Sequence, residues 1–64
     1  MTENMKIWLR RLYLEAAEEH RGAAQNEHLW ALGSDNNEMA VMHEQNAEEN
    51  REFAKILREF ADRI

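Results

Sequence analysis

The sequence predicts an all-α fold, a hairpin of two antiparallel helices, and three observations support this. Proline is absent from the 64 residues. Strong helix formers predominate, and no segment alternates apolar and polar residues with the period of two typical of a strand. A single turn signal at Gly33-Ser34-Asp35 divides the chain into two nearly equal parts. We therefore expect one domain over residues 1–64, with a helix at about 3–32, a turn at 33–35 and a helix at about 36–63.

The first helix is expected to begin after Thr2, whose hydroxyl can cap it, and to end near Leu32. Gly22 is its weak point, because glycine inside a helix costs about 1 kcal/mol relative to alanine. If the first helix is broken, we expect the break there.

The turn should close one helix and start the next. Gly33 suits the left-handed conformation that often ends a helix. Ser34 or Asp35 can cap the second helix, and Glu38 stands three residues after Asp35, as a capping box requires.

Two apolar stripes run along the first helix when its residues are placed about 100° apart. The stripe expected to face the second helix comprises Met5, Trp8, Leu9, Leu12, Ala16, Ala23 and Trp30, with Glu27 inside it. The stripe on the other side comprises Ile7, Leu14, Leu29 and Leu32. One antiparallel partner covers only one side, so we expect this second stripe to be the interface with another copy.

The second helix carries one broad stripe, which is typical of a helix that touches two neighbours in a bundle. Its members are Met39, Met42, Phe53, Ile56, Leu57, Phe60 and Ile64. The core of the assembly is expected to form from Trp8, Leu12, Trp30, Phe53, Leu57 and Phe60. Since the chain is short and has no cysteine, packing must supply its stability, and a homodimeric four-helix bundle is predicted.

Charge divides along the hairpin and favours an antiparallel dimer. Residues 1–16 and 51–64, at the open end, hold seven cations against five acids, a net charge of +2. Residues 17–50, at the loop end, hold one cation against eight acids, a net charge of −7. Two hairpins with their loops at opposite ends would place acidic regions beside basic ones.

A polar layer is expected midway along the hairpin, where His20 should lie across from Asn46, Glu49 and Asn50. Such a layer typically fixes register. A metal site built from His20, Glu49 and His43 is an alternative. Di-iron bundles use a Glu-x-x-His pair, however, and no histidine here has a glutamate three residues before it, so we expect neither metal nor cofactor.

The sequence offers no catalytic constellation. Its hydroxyl groups at Thr2, Ser34 and Tyr13 are better explained as two caps and a packed aromatic ring, so we expect no enzyme and no catalytic residue. The expected partner is a second copy of the chain, with a higher oligomer or a different protein as alternatives. The absence of a signal peptide pattern or membrane span in the sequence predicts a cytoplasmic location.

A cationic patch at Lys6, Arg10 and Arg11 suggests RNA or an anionic membrane surface as an alternative partner. The net charge of −5 argues against broad nucleic-acid affinity. In length and hairpin plan the chain resembles Rop, a small dimeric four-helix bundle that binds paired RNA hairpins. The likeness is one of architecture, without a shared residue motif, and architecture alone does not confer activity. The function predicted from sequence is a non-enzymatic interaction or regulatory module that self-associates.

Overall fold

Two long antiparallel helices make up the protein in the computed structural model, which describes residues 1–64. Helix α1 spans Glu3–Leu32 and helix α2 spans Asn37–Asp62. The predicted hairpin is confirmed, and the helix limits agree with the sequence prediction within one residue. Thr2 caps α1 as expected, since its hydroxyl accepts a hydrogen bond from the Met5 amide at 3.1 Å. Helix α1 continues through Gly22 without a break.

The turn differs from the prediction in which residue caps α2. The cap is Asn36, whose Oδ1 accepts hydrogen bonds from the amides of Glu38 at 2.8 Å and Met39 at 3.3 Å. The predicted cap at Ser34 or Asp35, and the capping box with Glu38, are therefore wrong. The Ser34 hydroxyl instead donates to the Asn36 carbonyl oxygen at 3.1 Å and stabilises the turn.

Gly33 also differs from expectation, because its φ of −88° and ψ of 0° lie in the right-handed region. The last turn of helix α1 is tighter than a regular α-helical turn. The Gly33 amide donates to the Leu29 carbonyl oxygen, and the Ser34 amide donates to the carbonyl oxygen of Ala31, only three residues earlier. The left-handed ending predicted at Gly33 is wrong, and no residue of the chain has a positive φ.

Alanines occupy the buried positions between the two helices. Every buried residue of the chain is an alanine at a spacing of seven, and we call this set the alanine seam: Ala17, Ala24 and Ala31 in α1 with Ala47, Ala54 and Ala61 in α2. A repeat of seven is the period at which antiparallel helices keep one line of side chains in contact. Because helix separation depends on the size of the contact side chains, the seam allows the helices to pack closely.

This seam corrects the prediction that Met5, Trp8 and Leu12 face the second helix. Most large side chains lie beside the seam, and Trp8 and Trp30 are 59% and 58% exposed. The repeat of alanines is visible in the sequence, but ranking positions by hydrophobicity favours the larger residues beside it. Alanines therefore form the seam because they are small, and not because they are the most hydrophobic residues.

The hairpin is a thin rod with extents of 52 × 13 × 10 Å. Its radius of gyration is 15.0 Å, whereas a compact domain of this length would have about 11 Å. Neither helix is long and apolar enough to cross a membrane.

Candidate interaction surface

Most of the large apolar side chains of the two helices lie on the same side of the alanine seam. On α1 this side carries Met5, Leu9, Leu12, Ala16, Ala23 and Trp30, with Trp8 at its outer edge, and on α2 it carries Met39, Met42, Phe53, Leu57, Phe60 and Ile64. We call this surface the apolar face. Antiparallel helices that share a seam turn the same flank to the same side, so the stripes of α1 and α2 join into one surface.

Three ring contacts across the helices tie the apolar face together. Tyr13 packs on Phe60 with ring centroids 5.8 Å apart. His20 packs on Phe53 at 5.3 Å, and Trp30 packs on His43 at 5.8 Å. The paired rings are tilted by 31–57° to each other, and Phe53 remains 54% exposed in the single hairpin. The ring contacts therefore connect α1 with α2 within the apolar face, but the face itself remains exposed.

Polar pairs interrupt the apolar face at two levels. The His20 Nδ1 atom donates to Asn50 Oδ1 at 2.8 Å, which confirms the predicted pairing of His20 with Asn50 midway along the hairpin. Seven residues nearer the loop, His43 Nδ1 donates to Glu27 Oε2 at 2.5 Å. Both pairs are partly buried, and each satisfies a polar group that lies among apolar side chains.

Glu27 is the acid that interrupts the predicted apolar stripe of α1, and the contact with His43 explains its position. The side chains of this pair are less than one fifth exposed. A second pair, His28 with Glu44 at 2.6 Å, links the helices on the opposite side of the seam and is about twice as exposed. Near the loop, the helices are thus fixed on both sides by a histidine and a glutamate.

The stripe predicted as the interface with a second copy lies away from the apolar face. Ile7, Leu14 and Leu32 lie on the other side of the seam, and Leu29 lies on the outer surface of α1. All four are exposed. The prediction assumed that α2 covers the first stripe of α1, but α2 covers the alanines, so both stripes are open to contact.

The predicted polar layer brings together fewer ligands than a metal site needs. His20 contacts Asn50, and His43 contacts Glu27, while Glu49 lies exposed near the outer edge of α2. No group of three or more histidine, cysteine, aspartate or glutamate side chains in the hairpin is arranged to hold a metal ion. A site from His20, Glu49 and His43 does not form within one chain.

The hydroxyl-bearing residues Thr2, Tyr13 and Ser34 have structural contacts. Thr2 caps α1 and Tyr13 packs on Phe60, as expected. Ser34 stabilises the turn in place of capping a helix. None of the three lies within hydrogen-bond distance of a histidine or a carboxylate.

The predicted cationic patch is spread around the start of α1. Lys6 pairs with Glu3 at 3.4 Å, and the Arg11 guanidinium lies over the Trp8 ring at 5.3 Å. Arg10 lines a shallow groove together with Glu15. Among these three cations, only Lys6 forms an ion pair.

Comparisons with models of protein families, with curated proteins and with solved structures found no match to this chain.

Proposed function

We propose that the protein is a non-enzymatic interaction module whose apolar face binds a second copy of the chain, forming an antiparallel four-helix bundle. The observation that carries the proposal is the alanine seam. Because the seam contains all the buried residues, the core residues predicted from sequence, namely Trp8, Leu12, Trp30, Phe53, Leu57 and Phe60, would be buried only when another surface covers them.

The energetics of the single hairpin support self-association. Burying one methyl group contributes about 0.8 kcal/mol, whereas burying a leucine or phenylalanine side chain contributes about 1.5–3 kcal/mol. A seam of alanines is a small driving force against the entropy of ordering two long helices. A second copy would add the larger side chains to a common core.

The side of the hairpin that carries the apolar face is large enough for a stable dimer. The hairpin is 52 Å long, and two adjacent helices of about 10 Å each make this side roughly 1,000 Å² in projection. Stable interfaces bury about 800 Å² on each partner. The solvent-accessible surface of the hairpin is 5094 Å², whereas a compact monomer of the same mass would expose about 4,300 Å².

Charge favours loops at opposite ends of the dimer. The loop end carries −7 and the open end +2, so an antiparallel arrangement places unlike regions side by side. A parallel arrangement would stack the two acidic ends, at a cost that salt screens only in part. The polar pairs at His20 and Glu27 would then lie inside the bundle and help to fix its register.

The first experiment is a mass measurement in solution by light scattering coupled to size exclusion. The unmodified chain should elute as a dimer, with twice the 7.6 kDa mass of one chain. Phe53→Glu should yield monomers, because it places a charge at the centre of the apolar face. Leu14→Glu is the matched control and should leave the dimer intact, since Leu14 lies on the other side of the seam.

The reverse pattern would contradict this interface. If Leu14→Glu gives monomers while Phe53→Glu remains dimeric, the stripe of Ile7, Leu14, Leu29 and Leu32 is the dimer contact. If the unmodified chain is a monomer, the proposal of self-association is wrong, and a different protein would have to cover the apolar face. Action in the cytoplasm stays a prediction of the sequence.

A further inference from the structure

A groove with four cations lies on the side of the hairpin opposite the apolar face. Arg21 from α1 and Arg51, Lys55 and Arg58 from α2 line this groove. Its floor includes Ala24 and Ala54 of the alanine seam, whose small side chains leave room between the helices. We call it the basic groove. Its position leaves it accessible whether or not the apolar face is covered.

The cations on α2 repel one another. Arg51 and Lys55 are four residues apart, and Lys55 and Arg58 are three residues apart, so they are neighbours on the helix surface. Like charges at these spacings destabilise a helix. Neither Arg51 nor Lys55 forms an ion pair within the chain. Two acids, Glu59 and Asp62, line the groove together with the four cations, so the groove keeps a net positive charge although the chain as a whole is acidic.

One carboxylate already occupies the edge of the groove. Glu18 Oε2 lies 3.3 Å from a guanidinium nitrogen of Arg21, and Glu18 Oε1 lies 3.2 Å from one of Arg58. The two arginines, which come from different helices, therefore converge on a single carboxylate. The two arginines can therefore hold a carboxylate, while Arg51 and Lys55 form no ion pair.

From these contacts we propose that the basic groove binds an acidic peptide segment of a partner protein, with two or three carboxylates held by Arg51, Lys55 and the arginines that Glu18 now engages. Arginine presents paired N–H groups that suit a carboxylate, and lysine adds a flexible point charge. Glu18 acts as an internal competitor for the incoming carboxylates.

The length of the groove favours a short acidic segment over a nucleic acid. Residues 51–58 span about 10 Å of helix. Acidic residues border the cations at both ends, Glu44 and Glu48 toward the loop and Glu59 and Asp62 toward the open end. A phosphate backbone longer than two or three groups would run into these acids.

The amino-acid composition of the basic groove also favours an acidic peptide over a nucleic acid. None of the residues lining it is a phenylalanine, tyrosine or tryptophan, whereas proteins that bind single-stranded nucleic acid stack bases on such rings. The aromatic ring contacts between the helices lie on the apolar face. An acidic peptide can bind through a few carboxylates and needs no aromatic rings on which to stack.

The test is a fluorescence anisotropy titration of the full chain against a dye-labelled hexaglutamate peptide at low salt. The unmodified chain should bind, and the double variant Arg51→Gln with Lys55→Gln should weaken binding about fivefold or more. Lys6→Gln with Arg63→Gln is the control, because it removes the same charge elsewhere and should change binding much less. Circular dichroism should show that both double variants keep their helices.

Glu18→Gln provides a readout that nonspecific attraction would not produce. It frees Arg21 and Arg58 and should tighten peptide binding about threefold. Glu19→Gln changes the net charge equally at the adjacent, exposed position and should have a much smaller effect. Equal effects of the two variants, or equal effects of the two cation pairs, would overturn the proposal. Tighter binding of a hexauridylate RNA than of hexaglutamate, lost with Arg51 and Lys55, would identify a phosphate site and also overturn it.

Discussion

Alanine occupies the buried positions between the helices because its side chain is small. Transfer from water favours burying tryptophan, leucine and phenylalanine over alanine, so a ranking by hydrophobicity places Trp8 and Trp30 in the contact. A close approach of two backbones instead requires small side chains. Ala17 and Ala47 are completely buried, while both tryptophans remain more than half exposed.

Ala47→Leu should therefore destabilise the protein, because three additional carbon atoms must fit where the helices touch. We expect a loss of about 1–3 kcal/mol in the free energy of unfolding, measured by urea denaturation at fixed chain concentration. Gln45→Leu is the matched control, since Gln45 is exposed on the same helix and should change stability by less than about 0.5 kcal/mol. Equal stability of the two variants would show that the seam is not closely packed.

Pairing between polar residues was only partly predictable from sequence. The contact of His20 with Asn50 follows from counting equal distances from the turn, and it is present at 2.8 Å. The contact of Glu27 with His43 was not predicted, although Glu27 was noted as an acid within an apolar stripe. Counting equal distances from the turn also places His43 opposite Glu27, seven residues from Asn50 along α2.

At the scale of elements, helix limits were predictable and turn chemistry was not. Long stretches without proline, a capping threonine and one glycine at the junction are enough to define α1 and α2 within a residue. From Ser34 to Asn37, however, four consecutive residues are types that cap helices well. Sequence alone does not choose among them, because the choice depends on the path by which the chain reverses.

Replacing Asn36 should reveal which residue caps α2. Asn36→Ala removes the acceptor for the amides of Glu38 and Met39, and we expect a loss of about 1 kcal/mol in the free energy of unfolding. Asp35→Ala, one position earlier, should cost only a few tenths of a kcal/mol, since Asp35 accepts no hydrogen bond at the helix start. Thermal denaturation followed by circular dichroism would measure both. A larger loss from Asp35→Ala would restore the capping box predicted from sequence.

At the scale of the whole molecule, the hairpin has two sides with different chemistry. One side joins the apolar stripes of both helices, and the other holds the basic groove between Arg21 and Arg58. The sequence predicts that apolar surface is left over after the hairpin forms, because the first helix is apolar on two sides. That both stripes of the first helix stay uncovered could not be predicted, because this depends on the alanine seam.

The most direct test of the proposed bundle is a distance measurement between the loops of two copies. The chain has no cysteine, so Asp35→Cys, at an exposed position in the turn, would carry a single spin label. Double electron–electron resonance should give a distance near 50 Å, because loops at opposite ends are separated by roughly the 52 Å length of the hairpin. A distance below about 20 Å, the width of two adjacent helices, would show a parallel dimer, and no dipolar signal would show that the hairpin does not self-associate; either result would contradict the antiparallel bundle.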